Sequence, residues 1–184
     1  MRGLLVLMGM GVFLFSFAFA GFIDNFVPKI TRQVVRVYSY KKLGGGIIIQ
    51  NYYVLSVAHL ANAMIFVNGL PSEIKKLDDD LMYLQVPYNF NRKVKFAKEV
   101  HLLEKVYIVG YPTGKKMVIP ATICGIDNYV LYLDAKVIGG MSGGGIFNEK
   151  GELVGIVHGG KGYPEQILVA SSFVAIKRFL GIEE

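Results

Sequence analysis

The chain has 184 residues, 53% of them hydrophobic, and a formal net charge of +6. This length suits one compact domain or two small lobes that share a core, and the apolar composition excludes a disordered chain. The positive charge is modest and is divided among separated basic pairs, which argues against the dense basic surface of a nucleic-acid-binding protein.

The N-terminal segment has the features of an export signal. Arg2 precedes an uncharged run over residues 3–23, and Ala18-Phe19-Ala20 provides small residues before Gly21. A positive start, an apolar stretch and an Ala-x-Ala site are typical of a secretory signal peptide. The same run is long enough to span a bilayer if it is not removed. The sequence therefore predicts an exported protein, periplasmic or secreted, with residues 1–20 as a signal peptide or residues 3–23 as a retained membrane anchor.

Short apolar segments separated by glycine-rich and polar turns follow, and they predict an all-β fold. The predicted strands of the first half are residues 34–40, 44–50, 53–57, 64–67, 73–76 and 81–86. Those of the second half are residues 105–110, 117–126, 129–133, 146–147, 153–157 and 166–170, with a predicted loop over 159–163 and a helix over 173–180. An irregular stretch over 87–93 is the predicted crossover, so we place an N-terminal lobe at 21–92 and a C-terminal lobe at 93–184.

A serine enclosed by glycines, Ser142, stands before the predicted hairpin of strands 146–147 and 153–157. Consecutive glycines indicate backbone angles that side chains forbid, or a close approach to another group. A serine held there can project its hydroxyl while nearby amides face one point, which is the arrangement that acyl transfer needs. A glycine-rich hairpin loop with an incidental serine is the alternative reading of this stretch.

A serine nucleophile requires a base, and the base requires a carboxylate that fixes its tautomer. The chain has three histidines. His59 ends an apolar strand, His101 lies in a charged segment and is predicted to be a surface residue, and His158 ends the strand after the serine hairpin. The single cysteine, Cys124, excludes an intrachain disulfide and is predicted to be a buried apolar residue. No cluster of Cys, His and carboxylates has metal-ligand spacing.

Three blocks in order carry a resemblance to a known family. They are residues 45–49 with 55–59, which end in His59; residues 80–84, in which Asp80 opens an apolar run; and residues 140–157, which contain Ser142. With these blocks the chain resembles the chymotrypsin-fold, trypsin-like serine proteases. The last block resembles both bacterial glutamyl endopeptidases and HtrA-type protease domains. The resemblance implies two antiparallel β-barrel lobes of six strands each, closed by a C-terminal helix.

The resemblance also implies roles. Ser142 is expected to be the nucleophile, His59 the general base and then acid, and Asp80 the orienting carboxylate, with the backbone amides of Gly140 and Ser142 as the oxyanion hole. Asp78 and Asp79 compete for the role of Asp80, which is preferred because it directly precedes the apolar run. The expected activity is hydrolysis of polypeptides without a cofactor, a metal ion or nucleic acid. The alternative is a protease-fold binding module that is catalytically silent.

Several features depart from the family pattern. Met141 stands where trypsin has the aspartate that receives a new amino terminus, so that activation switch is not expected. Gly145 replaces a common proline, the spacing from His59 to Asp80 is short, and no PDZ domain is expected after the helix. The substrate pocket is expected at Lys136, Val137, Val157, His158, Gly159 and Gly160. Lys136 and His158 would favour an acidic substrate side chain, unless Lys136 is simply solvated at the edge of the lobe.

Overall fold

The computed structural model describes residues 25–136, 138–161 and 167–182. Its first barrel is built from β1 (Val34–Ser39), β2 (Lys42–Gln50), β3 (Tyr53–Val57), β4 (Ile65–Val67), β5 (Leu70–Asp78) and β6 (Leu81–Gln85). These strands close in the order β1-β2-β3-β6-β5-β4, and every pair is antiparallel. A short helix, α1, covers residues 25–31 before β1.

The second barrel is built from β7 (Lys105–Gly110), β8 (Met117–Asp127), β9 (Val130–Asp134), β10 (Gly145–Asn148), β11 (Leu153–Lys161) and β12 (Ile167–Ser172). They close in the order β10-β11-β12-β9-β8-β7. Helix α2 (Phe173–Leu180) follows. The prediction of an all-β fold with two six-stranded antiparallel barrels and a C-terminal helix is confirmed.

Tight turns joining neighbouring strands of the first barrel use residues with left-handed backbone angles. Lys41, Asn51 and Asp79 have φ values of 60°, 32° and 48° and stand between β1 and β2, β2 and β3, and β5 and β6. Asn68 and Gly69, with φ of 49° and 91°, join β4 to β5. Asparagine, aspartate and glycine adopt these angles at low cost, so the turns other than the one at Lys41 follow from the local sequence.

One of the two apolar cores reaches across both lobes. It contains the inward residues of the first barrel together with Tyr111, Phe147, Ile156 and Phe179 from the second half of the chain. The other core lies inside the second barrel around Ile108, Ile123, Leu133, Met141, Ile146 and Val157. Because the lobes share apolar contacts, burial of the interface fixes the loops of one lobe against the other.

The connection between the barrels runs along both of them. An isolated bridge joins Gln50 to Lys93, and another joins Phe96 to Leu153. The described strands of the first barrel end at Gln85 and those of the second begin at Lys105. The predicted lobe boundary at residues 92 and 93 therefore falls within this connecting segment.

Two predictions made from local sequence were wrong. Cys124 is exposed, because side chains alternate along β8 and its neighbour Ile123 takes the fully buried position. The predicted loop over residues 159–163 continues as strand through Lys161, since Gly159 and Gly160 pair with Val169 and Leu168 of β12. Residues 162–163 lie outside the described residues. Glycine weakens a strand without forbidding it, and the barrel pairing overrides that preference.

Helix α2 begins and ends as its sequence predicts. The Ser172 hydroxyl accepts a hydrogen bond from the Ala175 amide at 3.4 Å, and Gly181 closes the helix with φ of 69°. Phe173, Ile176 and Phe179 form its buried face. Over the part of the chain that the structure describes, no helix combines the length and the apolar character needed to cross a bilayer.

Candidate active site

His59 and Asp80 meet because two strands pair. β3 ends at Val57, which pairs with Leu81 at the start of β6, and a single helical turn (Ala58–Leu60) then carries His59. The Ala58 amide donates to the Asp80 carbonyl at 3.0 Å, and the His59 amide donates to Asp80 Oδ1 at 2.9 Å. The pairing of β3 with β6 and the helical turn together therefore hold the aspartate against the histidine.

The imidazole of His59 is oriented by the same carboxylate. Its Nδ1 lies 2.8 Å from Oδ2 and 3.0 Å from Oδ1 of Asp80. An ionised carboxylate only accepts hydrogen bonds, so Nδ1 carries the proton and, in the neutral ring, Nε2 is left as an acceptor. Nε2 makes no hydrogen bond within the described residues, and 43% of the side chain is exposed. This is the tautomer that a general base requires.

Asp80 is held in its ionised form. Burial disfavours the charge, but hydrogen bonds from His158 and then from His59 outweigh it and lower the pKa of Asp80 from 3.8 to about 2. The competing residues make other contacts: the Asp79 amide donates to Asp78 Oδ1 at 3.0 Å, and neither carboxylate contacts a histidine in the described part of the chain.

The serine loop, residues 139–144, is held by backbone contacts on three sides. The Gly45 amide donates to the Ser142 carbonyl at 2.8 Å, and the Gly143 amide donates to the Val157 carbonyl at 2.8 Å. The Tyr111 amide donates to the Gly140 carbonyl at 3.1 Å. Gly140 has φ of 96°, and a Cβ there would lie 2.2 Å from the Tyr111 carbonyl oxygen, so only glycine fits.

Three of the six amides of this loop have no acceptor among the described residues. The amides of Met141, Gly143 and Gly144 donate to the carbonyls of Ile138, Val157 and Met141, and those without an acceptor belong to Gly139, Gly140 and Ser142. Two of these three, the amides of Gly140 and Ser142, were expected from the sequence to form an oxyanion hole. Paired backbone donors at one point stabilise the negative oxygen of a tetrahedral intermediate.

The hydroxyl of Ser142 donates to the carbonyl oxygen of His158 at 2.9 Å. Among the hydrogen bonds of the described residues, none joins Ser142 to His59. Catalytic hydrogen bonds in enzymes without substrate are often long or absent and form in the Michaelis complex. Rotation of a serine about its Cα–Cβ bond exchanges partners between staggered positions.

A second histidine, His158, contacts Asp80, a contact that was not predicted from the sequence. Its Nδ1 lies 2.9 Å from Asp80 Oδ2, and its Nε2 lies 2.8 Å from the Ser171 hydroxyl. His158 was expected to line the substrate pocket, but both of its ring nitrogens have these partners. His158 stands where β11 shifts its register against β12, between Val157 and Gly159, so the alternation of side chains along the strand did not by itself predict this contact.

The other residues expected in the pocket differ in exposure. Lys136 and Gly160 are exposed, Gly159 is half-buried and Val157 is fully buried. Val137 lies outside the described residues. No group of three or more histidines, cysteines or carboxylates that could hold a metal ion occurs in the described ranges.

The model of the trypsin-like peptidase domain family matches residues 44–156 of the chain. The inactive form of the Rv3671c protease from M. tuberculosis superposes with a TM-score of 0.75 at 23% identity, covering 84% of this chain and 90% of that one. The active form of that protease gives a TM-score of 0.75 at 23% identity, covering 88% and 85%. The serine endoprotease of Yersinia pestis gives 0.77 at 25% identity, covering 84% of this chain and 64% of that one.

Proposed function

This chain belongs to the trypsin-like peptidase family and is a serine endopeptidase, and we propose that it acts through an acyl-enzyme on Ser142 with His59 and Asp80 as partners. The contact of His59 Nδ1 with Asp80 Oδ2 at 2.8 Å is the observation that supports this assignment most. It leaves the unprotonated Nε2 exposed and able to take a proton.

The reaction requires one movement at Ser142. Its hydroxyl leaves the His158 carbonyl and donates to His59 Nε2, which removes the proton as the oxygen attacks the substrate carbonyl carbon. The oxyanion that forms is held by the amides of Gly140 and Ser142. His59 then gives the proton to the leaving amine as the C–N bond breaks. In the second half a water molecule is activated in the same way and releases the acid.

A polypeptide substrate also suits the open edge of β11. Up to Val157 this strand has neighbours on both sides, since the Val157 amide donates to the Gly144 carbonyl. From Gly159 to Lys161 its described partners lie in β12 only. An extended peptide can add to such an edge as a further strand, with its scissile bond beside Ser142.

Labelling with a fluorophosphonate tests the assignment of the nucleophile and the base. We expect the wild-type protein to be labelled and Ser142→Ala and His59→Ala to lose labelling and peptide hydrolysis by about 10³-fold or more. Ser72→Ala and His101→Ala are the matched controls, since the hydroxyl of the half-buried Ser72 donates to the Leu70 carbonyl and the exposed His101 ring lies against Glu99, so neither contacts the site residues. Labelling of Ser142→Ala, or no labelling of folded wild-type protein, would reject the mechanism; the second result would support a silent binding module.

The chain is exported through its N-terminal segment. Arg2, the uncharged run over residues 3–23 and the Ala18-Phe19-Ala20 site support this proposal. Expression of the full chain in bacteria, followed by fractionation and mass measurement, tests it. A periplasmic or secreted protein that begins at Gly21 is the expected result, and an intact chain in the membrane fraction indicates an anchor instead. Intact protein in the cytoplasm would contradict both.

A further inference from the structure

One carboxylate oxygen serves two histidines in this site. Asp80 Oδ2 lies 2.8 Å from Nδ1 of His59 and 2.9 Å from Nδ1 of His158. The Ser171 hydroxyl lies 2.8 Å from the other nitrogen of the His158 ring. The side chains of His59, Asp80, His158 and Ser171 form a continuous row that runs from the exposed face of His59 to β12.

The partners of His158 determine where its protons lie. Because the carboxylate only accepts, Nδ1 of His158 carries a proton, and in the neutral ring Nε2 accepts from the Ser171 hydroxyl. A hydroxyl can rotate and accept instead, so Ser171 can serve the protonated ring as well. Ser171 therefore keeps the ring on Asp80 in both charge states.

We propose that His158 is a positioning residue that shares Asp80 with His59 and thereby limits how strongly this carboxylate stabilises the His59 imidazolium. The proposal rests on the proposed function of Ser142, His59 and Asp80. Each hydrogen bond that a carboxylate receives takes up part of its negative charge, and a cation on one side of it disfavours a cation on the other. Two histidines that share one carboxylate therefore titrate as a coupled pair.

The charged groups near this row are few. Lys42 reaches it from the first barrel, where its ammonium group donates to the His59 carbonyl at 2.6 Å. Beyond Ser171, a cavity between the β5–β6 turn and α2 is lined by the polar side chains of Lys76, Asp78, Asp79, Tyr129 and Arg178. Of the side chains named in this paragraph and the four side chains of the row, only the histidines ordinarily change charge near neutral pH. His158 is therefore the neighbour whose change of charge near neutral pH would alter the titration of His59.

Proton NMR of the Ser142→Ala protein tests the proposal. The chain has three histidines, so three imidazole rings contribute C–H signals, and exposed His101 is the internal reference. In His158→Gln the side-chain amide can extend to Ser171, but no donor remains at the former position of Nδ1 beside Asp80. In His158→Asn the shorter side-chain amide keeps a donor at that position. We expect the Gln change to raise the titration midpoint of His59 by about 0.5 to 1 pH unit and the Asn change to raise it by less than half as much.

The protein that keeps His158 provides a second measurement, which does not depend on the folding of a His158 variant. With His158 present, the His59 signal is expected to shift in two steps. An unchanged or lowered midpoint in the Gln variant, equal midpoints in both variants, or a single step in the parent would overturn the proposal. These signals do not require peptide hydrolysis, so failure of this proposal and failure of the proposed mechanism are distinguishable.

Discussion

The backbone amide of Gly45 donates to the carbonyl oxygen of Ser142 at 2.8 Å, and this bond joins β2 of the first barrel to the serine loop of the second. The nucleophile proposed here is thus supported from the lobe that also carries His59 and Asp80. A loop fixed from both lobes keeps its amides aligned before substrate arrives, which is how enzymes lower the cost of reorganisation.

We expect Gly44→Ala to displace the serine loop. A Cβ at Gly44 would lie 2.4 Å from the Ser142 carbonyl oxygen and 2.5 Å from Leu60 Cδ1, so the backbone must move. A shift of this kind is expected to lower kcat/KM for a peptide substrate by roughly a hundredfold. Gly139→Ala is the matched control for the effect of a glycine-to-alanine change on stability, because a Cβ at Gly139 would have no other atom within 4 Å. Equal kcat/KM for Gly44→Ala and the wild type would show that this contact is unimportant.

We expect Gly140→Ala to disrupt the oxyanion hole. The substitution forces a side chain into a backbone with φ of 96°, 2.2 Å from the Tyr111 carbonyl oxygen. Loss of one oxyanion donor is expected to lower kcat by about 10²- to 10³-fold. Gly181→Ala imposes similar strain at φ of 69° in open space, so it reports the effect on stability alone. The prediction fails if both variants lower kcat equally.

The carboxylate of Asp80 makes stability depend on pH in the acid range. Its pKa is lowered in the folded protein, so it stabilises the fold above the unfolded value of 3.8, and this contribution is lost as pH falls toward about 2. Urea unfolding of the wild type and Asp80→Asn at several pH values measures it. The difference in free energy of unfolding should shrink steadily as the pH falls from about 5 toward 2. A difference that does not change over this acid range would contradict the ionised, hydrogen-bonded Asp80.

The hydroxyl of Ser56 is predicted to stabilise the strand behind the serine loop. Ser56 is fully buried, and its hydroxyl donates to the Gly45 carbonyl at 2.7 Å. Ser56→Ala is expected to lower the free energy of unfolding by about 1 to 2 kcal/mol, because it removes a buried hydrogen bond. The control is Ser72→Ala, whose exposed hydroxyl donates to the Leu70 carbonyl at 3.2 Å. Chemical denaturation compares the two, and equal losses would refute the prediction.

The local sequence was sufficient for most strands of this fold. Alternating apolar residues separated by turn residues identified the strands near their observed bounds, and the apolar residues at helical spacing identified α2 over residues 173–180. These signals are short-range: side-chain period, left-handed turn residues and capping groups act within a few positions of the chain. Where short-range preference and barrel pairing disagreed, as at Gly159 and Gly160, pairing prevailed.

The sequence by itself determined which groups were available for chemistry: one serine among glycines, a histidine ending a strand and an aspartate opening another. Only the tertiary structure decided how they are shared. It placed His158 on Asp80 beside His59, and it directed the Ser142 hydroxyl to the His158 carbonyl. Those contacts depend on the register of β11 against β12 and on the packing of one barrel against the other, and no local pattern of residues encodes distances between strands that are far apart in the chain.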